Sequence, residues 1–497
     1  MTNKRLSGIL LHITSLPSKY GVGTLGSAAY QFIDWLHQAK MSVWQVLPLV
    51  PTNYGDSPYQ SVSSTALNYY LIDLDILKNK GLLKEEDYVH ESFSYDERHT
   101  NYELLFYKKI ATLKKAFESF DVNEVAFKNF VKKKEYHDFS VFMVLKALHL
   151  HRPWFLWQEP YKTYSKDIEA YVIEHFNKDY LFWQWTQYEF LLEWNALRAY
   201  AKTKQIQIMG DMPLYVAYDS VEVWKHPELF ILTESKGLKL VAGCPPDAFS
   251  EDGQLWGNPV YNWDYMKQEN YAWWNERINR AFELYDILRI DHFRGFDRFY
   301  AIPAEDINAK NGTWLDGPKF DLFKDKTDYQ IVAEDLGIID DGVKDLMKQT
   351  GYPGMRVLSF AFDGNPDNDH KPSNYKTNCL VYTGTHDNMP FYQYVEDLDL
   401  NALEALKLEL KEECLALGVA CADTSYQEIT KTVVELAFAS VAFMCIIPMQ
   451  DYMGLDNSCR MNQPSTVGTN WRWRLTKEDL TEELKEEILS VTRRYGR

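Results

Sequence analysis

The sequence predicts an α/β protein in which a closed (β/α)8 TIM barrel carries large, mainly helical insertions. Three observations lead to this fold: short apolar runs occur eight times along the 497 residues, helical patterns separate several of them, and an acidic residue follows four of the runs. Eight buried strands that alternate with helices favour a closed barrel. A doubly wound open sheet is the competing arrangement, and the acidic residues at the strand ends favour the barrel.

The eight runs are short and continuous rather than alternating, as expected for strands buried on both faces. In chain order they cover residues 8–13, 43–48, 206–210, 287–290, 331–333, 356–360, 380–383 and 442–447. Apolar residues at helical spacing precede the second, fourth, sixth and eighth runs, over residues 28–39, 270–284, 341–349 and 425–440. This alternation predicts successive strand–helix units.

The uneven spacing of the runs locates the insertions. Residues 52–204, between the second and third runs, are rich in helical pattern and predict a helical insertion. Residues 214–285 form a second insertion, and its Gly- and Pro-rich segment 243–262 is interpreted as an active-site loop, because loops of this length are usually functional. Few residues follow the eighth run, so we expect one catalytic barrel over residues 1–497 without a C-terminal β-sandwich domain.

The composition excludes several classes of partner. The formal net charge is −18 and the longest basic block is residues 132–134, so nucleic acid and anionic membranes are unfavourable partners. Six scattered cysteines without a CxxC pair argue against a zinc site and fit a reducing cytoplasm, which is the location we expect. Aromatic residues make up 15% of the chain. Most are expected to pack in the core, but the excess also favours a carbohydrate ligand.

Acidic residues follow four of the predicted strands. Asp211 follows the third run, Asp291 the fourth and Glu334 the fifth, and Asp387 lies just beyond the seventh. In a (β/α)8 barrel these strand ends converge on the face that carries the active site. Each acid alone is readily explained as a helix cap or turn residue. Four together, most of them close to Gly, His or Arg, instead indicate a shared carboxylate site.

Two kinds of chemistry use several carboxylates around one cleft. One is a metal site built from oxygen ligands. The other is glycoside chemistry, in which one carboxylate acts as nucleophile and one carboxylic acid donates a proton to the bond that breaks. The aromatic excess favours the glycoside. The sequence has no Walker loop, no GxGxxG after a predicted strand and no GxSxG motif, so phosphate-loop, dinucleotide and serine-hydrolase sites have no support.

Motifs at the strand ends carry a family resemblance. They are residues 289–295 (RIDHFRG), 333–337 (AEDLG) and 383–388 (TGTHDN), supported by 8–17 (GILLHITSLP), 44–48 (WQVLP), 56–60 (DSPYQ), 210–216 (GDMPLYV), 245–250 (PPDAFS), 254–259 (QLWGNP) and 460–464 (RMNQP). The strand-end motifs are similar to those of the α-amylase superfamily. Together the segments, over roughly residues 8–474, resemble the 4-α-glucanotransferases, the family of amylomaltase and disproportionating enzyme.

The resemblance implies transfer of α-1,4-glucan segments to a 4-hydroxyl acceptor, either glucose or a maltooligosaccharide. Transfer would retain the anomeric configuration through a covalent glucosyl-enzyme intermediate. A retaining α-glucan hydrolase of amylase type is the alternative, since the carboxylates alone do not separate the two reactions. A glucan-binding barrel without activity is a further hypothesis. The resemblance implies no cofactor and no metal, and the sequence leaves the oligomeric state open.

The resemblance also assigns catalytic roles. Asp291 is the expected nucleophile, Glu334 the general acid and then the base, and Asp387 the third carboxylate, which holds sugar hydroxyls and stabilises the transition state. Arg289 lies two residues before Asp291 on the same strand, so both side chains are expected on the same face. Glu334 has to stay protonated near neutral pH before attack. Retention predicts carboxyl groups of Asp291 and Glu334 about 5–5.5 Å apart.

The substrate-binding residues that the resemblance implies are Tyr54, Ser57, Tyr59, Asp211, Trp256, Arg289, His386 and Asn462. Tyr59 is the expected stacking platform for the donor sugar, and Tyr54 would bind glucan at a second site on the rim. Trp256 and Phe249 lie on the loop 243–262, the expected lid. They would contact the acceptor or pack the loop against the barrel.

Overall fold

The computed structural model describes residues 5–246 and 251–497. The strands in these ranges are β1 (Leu6–Leu10), β2 (Val43–Gln45), β3 (Gln207–Met212), β4 (Leu240–Cys244), β5 (Gln254–Pro259), β6 (Ile287–Ile290), β7 (Arg298–Pro303), β8 (Thr313–Asp316), β9 (Ile331–Ala333), β10 (Gly354–Val357), β11 (Cys379–Tyr382) and β12 (Met444–Pro448). The helices are α1 (Ser27–Gln38), α2 (Leu74–Asn79), α3 (Tyr102–Leu104), α4 (Ile110–Glu118), α5 (Val125–Lys133), α6 (His137–Leu148), α7 (Lys166–His175), α8 (Asn177–Thr203), α9 (Val221–Lys225), α10 (Trp263–Gln268), α11 (Ala272–Leu284), α12 (Asp341–Thr350), α13 (Phe391–Glu396), α14 (Leu400–Leu417), α15 (Tyr426–Ala439), α16 (Met449–Met453) and α17 (Glu482–Tyr495).

Eight parallel strands form the barrel that the sequence predicts. Their order is β10-β11-β12-β1-β2-β3-β6-β9. At the closure between β9 and β10, the Ala333 N–H donates to the Pro353 carbonyl at 3.0 Å. Each strand overlaps one of the eight apolar runs, and β2, β6, β9, β11 and β12 are buried on both faces. The prediction of a (β/α)8 barrel is therefore confirmed, and the open sheet is wrong.

Helices occupy the chain between β2 and β3. There α2 to α8 follow one another, and the 27-residue α8 packs against α4, α5, α6 and α7 and against α1 of the barrel. The long helix α8 thus links the other helices of the insertion to the barrel. Within the described ranges, no helix is long and apolar enough to cross a membrane.

A second, antiparallel sheet of order β5-β4-β7-β8 lies beside the barrel. It has no counterpart among the eight predicted strands. Most residues of β5 and β8 are partly or fully exposed, so these strands lack the continuous apolar run that marks the barrel strands. Residues 254–259, which were predicted to belong to an irregular loop, therefore form the regular strand β5.

Candidate active site

Three of the acidic residues lie side by side at the carboxyl ends of neighbouring strands. Asp211 is in β3, Asp291 follows β6 and Glu334 follows β9, and these three strands are adjacent and parallel. The backbone continues this order beyond the strands, because the Asp291 N–H donates to the Met212 carbonyl and the Glu334 N–H to the Ile290 carbonyl, each at 3.0 Å. The convergence expected for the mouth of a barrel follows from this register.

Arg289 binds two of these carboxylates at once. Its Nη1 lies 2.8 and 2.7 Å from the two oxygens of Asp211, and its Nη2 lies 2.9 Å from Oδ1 of Asp291. The Asp211 side chain is fully buried, whereas the Asp291 side chain is 27% exposed. Burial raises the pKa of Asp211, and the charge of Arg289 opposes that rise. Asp211 therefore anchors the guanidinium, and Asp291 presents a carboxylate towards solvent.

We expect Arg289→Met to lower the free energy of unfolding by about 3–5 kcal/mol, since removing one member of a buried ion pair leaves a buried charge without its partner. Urea unfolding followed by tryptophan fluorescence measures the loss. Arg494→Met is the control, because Arg494, which pairs with Glu435, is about half exposed, and a pair at the surface should contribute about 0–1 kcal/mol. Equal losses in the two variants would contradict the anchoring role.

Glu334 is a buried carboxyl group that keeps its proton at neutral pH. Burial raises its pKa to about 8, and the negative charge of Asp291 adds to the rise. Arg289 and two backbone N–H groups act in the opposite direction without reversing it. Those N–H groups belong to His292 and Leu336, and each lies 2.7 Å from a different oxygen of Glu334. The raised pKa leaves Glu334 with the proton that a general acid needs.

The contact between His292 and Glu334 depends on an uncommon backbone conformation. His292 has a φ of 47°, in the left-handed region. For a residue other than glycine, such a conformation costs on the order of 1–3 kcal/mol, and it persists where the surroundings impose it. Burial lowers the pKa of the His292 side chain to about 4, so its imidazole is neutral.

Asp387 lies on the loop between β11 and α13, and the C-terminal segment holds it from the other side. The Asn462 amide donates to Oδ1 of Asp387 at 2.6 Å, and His386 Nε2 lies 3.4 Å from the same oxygen. Arg460 donates to the backbone carbonyl of Asp387 at 2.5 Å. The Asp387 side chain is 41% exposed, more than that of Asp291. Asp387 is therefore held firmly and still faces solvent, as a group that binds sugar hydroxyls has to.

Tyr59 contacts both His386, which precedes Asp387, and the buried ion pair between Arg289 and Asp211. Its ring stacks on His386 with centroids 5.2 Å apart and planes 14° apart, and it also contacts Trp471 at 5.6 Å. Its hydroxyl donates to Oδ2 of Asp211 at 2.9 Å. Burial raises the pKa of Tyr59 well above its usual value, and Asp211 adds to the rise, so the hydroxyl keeps its proton. The structure thus brings Tyr59, His386 and Asp211 together.

The remaining predicted residues lie at different distances from this centre. Ser57 accepts the Tyr59 N–H at 3.1 Å, so it shapes the turn that presents Tyr59. Trp256, in β5, meets the ring of His292 edge-on at 4.8 Å. Tyr54 is 73% exposed on the rim. Phe249 lies outside the described residues.

Sequence reasoning missed several residues of the C-terminal segment. Trp471 contacts both Tyr59 and His386, and Arg472 pairs with Asp56 at 3.0 Å. Trp473 helps to line a cavity beside His386. A local pattern could not identify these residues, because they reach the site from segments far apart in the chain. Within the described ranges, no group of three His, Cys, Asp or Glu side chains is arranged to hold a metal ion.

Comparisons with known proteins find relatives along the whole chain. A family model described as 4-alpha-glucanotransferase matches residues 11–481. The chain is 43% identical to a 4-alpha-glucanotransferase of Clostridium butyricum, over 98% of this chain and 100% of the relative, and 39% identical to one of Thermus thermophilus, over 96% of each. Amylomaltase from Streptococcus agalactiae in complex with acarbose is a solved structure with a TM-score of 0.93 and 39% identity, over 99% of this chain and 100% of that one.

Proposed function

The chain belongs to the 4-alpha-glucanotransferase family, and from this premise we propose how its carboxylates carry out the reaction. The enzyme acts on α-glucans and transfers glucan segments. The observation that carries the mechanism is the contrast between the two adjacent acids: Glu334 is protonated at neutral pH, and Asp291 is paired with Arg289. An acid and a nucleophile on neighbouring strands are the two groups that retaining glycoside chemistry needs.

In the first step, Asp291 attacks the anomeric carbon and forms a covalent glucosyl ester. Glu334 gives its proton to the glycosidic oxygen as the bond breaks, and the shortened glucan leaves. In the second step the Glu334 carboxylate takes a proton from the 4-hydroxyl of an acceptor, and that oxygen displaces Asp291. Two inversions give net retention. Asp387 stabilises the transition state through hydroxyls of the donor sugar.

Transfer requires that the acceptor, rather than water, reaches the ester. A bound acceptor hydroxyl can act at an effective concentration on the order of 10⁵–10⁸ M, which outweighs bulk water. We propose glucose and maltooligosaccharides as acceptors, with Trp256 on their side of the cleft and residues 243–262 as the lid. Tyr59, Ser57, Asp211, Arg289, His386 and Asn462 would form the donor side, and Tyr54 would bind glucan on the rim. The cytoplasmic location stays a prediction.

The test is the product profile from pure maltotriose. We expect maltotetraose and longer maltooligosaccharides to appear together with glucose, because each transfer lengthens one molecule and shortens another. Chromatography with pulsed amperometric detection resolves these products over time. Added labelled glucose serves as the control for acceptor use, and its label should enter maltose and longer chains. Products that are all shorter than maltotriose would overturn the assignment in favour of hydrolysis.

A further inference from the structure

A buried carboxylate outside the three catalytic positions holds both ends of the loop that carries Asp387. Asp451 lies in α16, just after β12, and is almost fully buried. One of its oxygens accepts the hydroxyl hydrogen of Thr383, the first residue after β11. The other accepts the N–H of Phe391, the first residue of α13, at 2.7 Å. A single side chain therefore fixes the points at which residues 384–390 leave the barrel and return to it.

The loop between these two points has further hydrogen bonds of its own. Oδ1 of Asn388 accepts the N–H of Thr385 at 2.8 Å and its hydroxyl hydrogen at 3.0 Å, which closes the loop into a tight turn. Asp387 sits inside that turn, and its N–H donates to the Thr385 hydroxyl at 3.2 Å. The turn is thus a small rigid unit, and its position relative to the barrel is set by the contacts at its two ends.

Packing alone does not explain an acid at this position. A buried carboxylate loses its hydration, and its two partners here are an uncharged hydroxyl and an uncharged amide, which compensate less than a cation would. Burial accordingly raises the pKa of Asp451 to about 6. Both contacts are with the ends of the Asp387 loop, so holding these two ends accounts for an acidic residue at this buried position. An apolar side chain of similar size would fill the space but would leave both donors without an acceptor.

We propose that Asp451 is a positioning residue for glucan transfer: it sets the location of Asp387 by holding both ends of the loop. This inference rests on the proposed role of Asp387. Displacement of a catalytic group by about 1 Å can cost on the order of 100-fold in rate. Both side-chain hydrogen bonds of Asp451 go to the ends of the loop, so we expect its effect on the reaction to pass through the position of Asp387.

The decisive experiment compares four variants with the intact enzyme in steady-state transfer from maltotriose. Asp451→Ala removes both contacts, and we expect kcat to fall on the order of 10–100-fold while KM changes much less. Asp451→Asn keeps an oxygen for the Phe391 N–H and a polar group beside Thr383, so it should recover most of kcat. Thr383→Val removes one contact and should give an intermediate loss. Thr383→Ser keeps the hydroxyl and should stay close to the parent enzyme.

Glu413→Ala is the matched control for Asp451→Ala, because it also removes a buried carboxylate that holds two donors. Glu413 accepts an N–H and a hydroxyl hydrogen, both from Ser373, at 2.9 and 2.8 Å, and it joins Ser373 to α14 without contacting the Asp387 loop. Glu413→Ala should lower the melting temperature without lowering kcat. An Asp451→Ala enzyme with the parent kcat would overturn the proposal, and so would a kcat loss in Glu413→Ala equal to that in Asp451→Ala.

Two further outcomes are decided by the same series. If Asp451→Ala does not fold, the pair Thr383→Val and Thr383→Ser carries the test, and equal kcat in those two variants would overturn the proposal. If the parent enzyme itself gives no products longer than maltotriose, the proposed function fails before the role of Asp451 is addressed. Failure of the inference alone appears as normal transfer by the parent enzyme together with either of the overturning results given above.

Discussion

Asp291→Asn is expected to abolish glucan transfer, with a loss in kcat on the order of 10⁴–10⁶-fold, as for removal of other catalytic nucleophiles. The neutral amide cannot form the glucosyl ester, so neither half of the reaction proceeds. Arg289 keeps its two contacts with Asp211, and the barrel should remain folded. Transfer from maltotriose measures the loss, and titration calorimetry with a maltooligosaccharide should show that glucan binding persists.

The control for this variant lies just before the same strand, at the opposite end of the barrel. Asp286 precedes β6, pairs with Arg198 at 2.9 Å and accepts the Ile208 N–H at 2.8 Å. Asp286→Asn changes a carboxylate in the same way, and we expect kcat to stay near that of the parent enzyme. Turnover by Asp291→Asn at a comparable level would show that another group is the nucleophile. Loss of glucan binding together with turnover would instead indicate that Asp291 mainly shapes the cleft.

The barrel and the acidic residues at its carboxyl-terminal face were predictable, because both follow from short sequence patterns: apolar runs and the residues that come directly after them. Residues 331–333 are all apolar and residues 287–290 are apolar apart from Arg289, and short continuous runs of this kind are typical of strands buried on both faces. Parallel strands in a barrel then place whatever follows them on one face. The sequence therefore sufficed to predict that Asp291 and Glu334 lie together. It also placed Arg289 with Asp291, because side chains two residues apart on a strand point to the same face.

The parts that sequence could not supply depend on contacts between distant segments. Asn462 reaches Asp387 and Trp471 reaches Tyr59 through a chain reversal after β12 that no local pattern marks. The left-handed backbone at His292, which aims an N–H at Glu334, is imposed by the surrounding fold and is uncommon for a histidine. The separation of the Asp291 and Glu334 carboxyl groups stays a prediction, and so do the substrate contacts of the individual residues.

Glu334→Gln is the second change with a large expected effect, a loss in kcat on the order of 10²–10⁴-fold, since an amide cannot donate the proton that the leaving oxygen needs.

The pH dependence of activity identifies Glu334 as the proton donor. Burial raises the pKa of Glu334 from 4.5 to about 8, so the proton donor is present below that pH and is lost as pH rises through it. The parent enzyme should therefore lose activity on the alkaline side near pH 8, and Glu334→Gln should lose this alkaline limb. The same shift lowers the free energy of unfolding as pH rises from about 4.5 to 8, because the folded state there holds a proton that the unfolded state has released.

Two tests distinguish proton donation by Glu334 from a purely structural role. One uses a substrate whose leaving group needs no proton, and the other uses a variant of a neighbouring carboxylate. A glycosyl fluoride releases fluoride without protonation, so Glu334→Gln should lose much less of the glucosylation step with it than with maltotriose. Asp335 is the control: it accepts the Met355 N–H at 2.6 Å and pairs with Arg356 at 3.1 Å, on the other side of the strand. Asp335→Asn should lower stability and leave the alkaline limb where it is. If the alkaline limb persists unchanged in Glu334→Gln, a different group must donate the proton. The reason is that Glu334 is the one ionisable side chain that this variant removes.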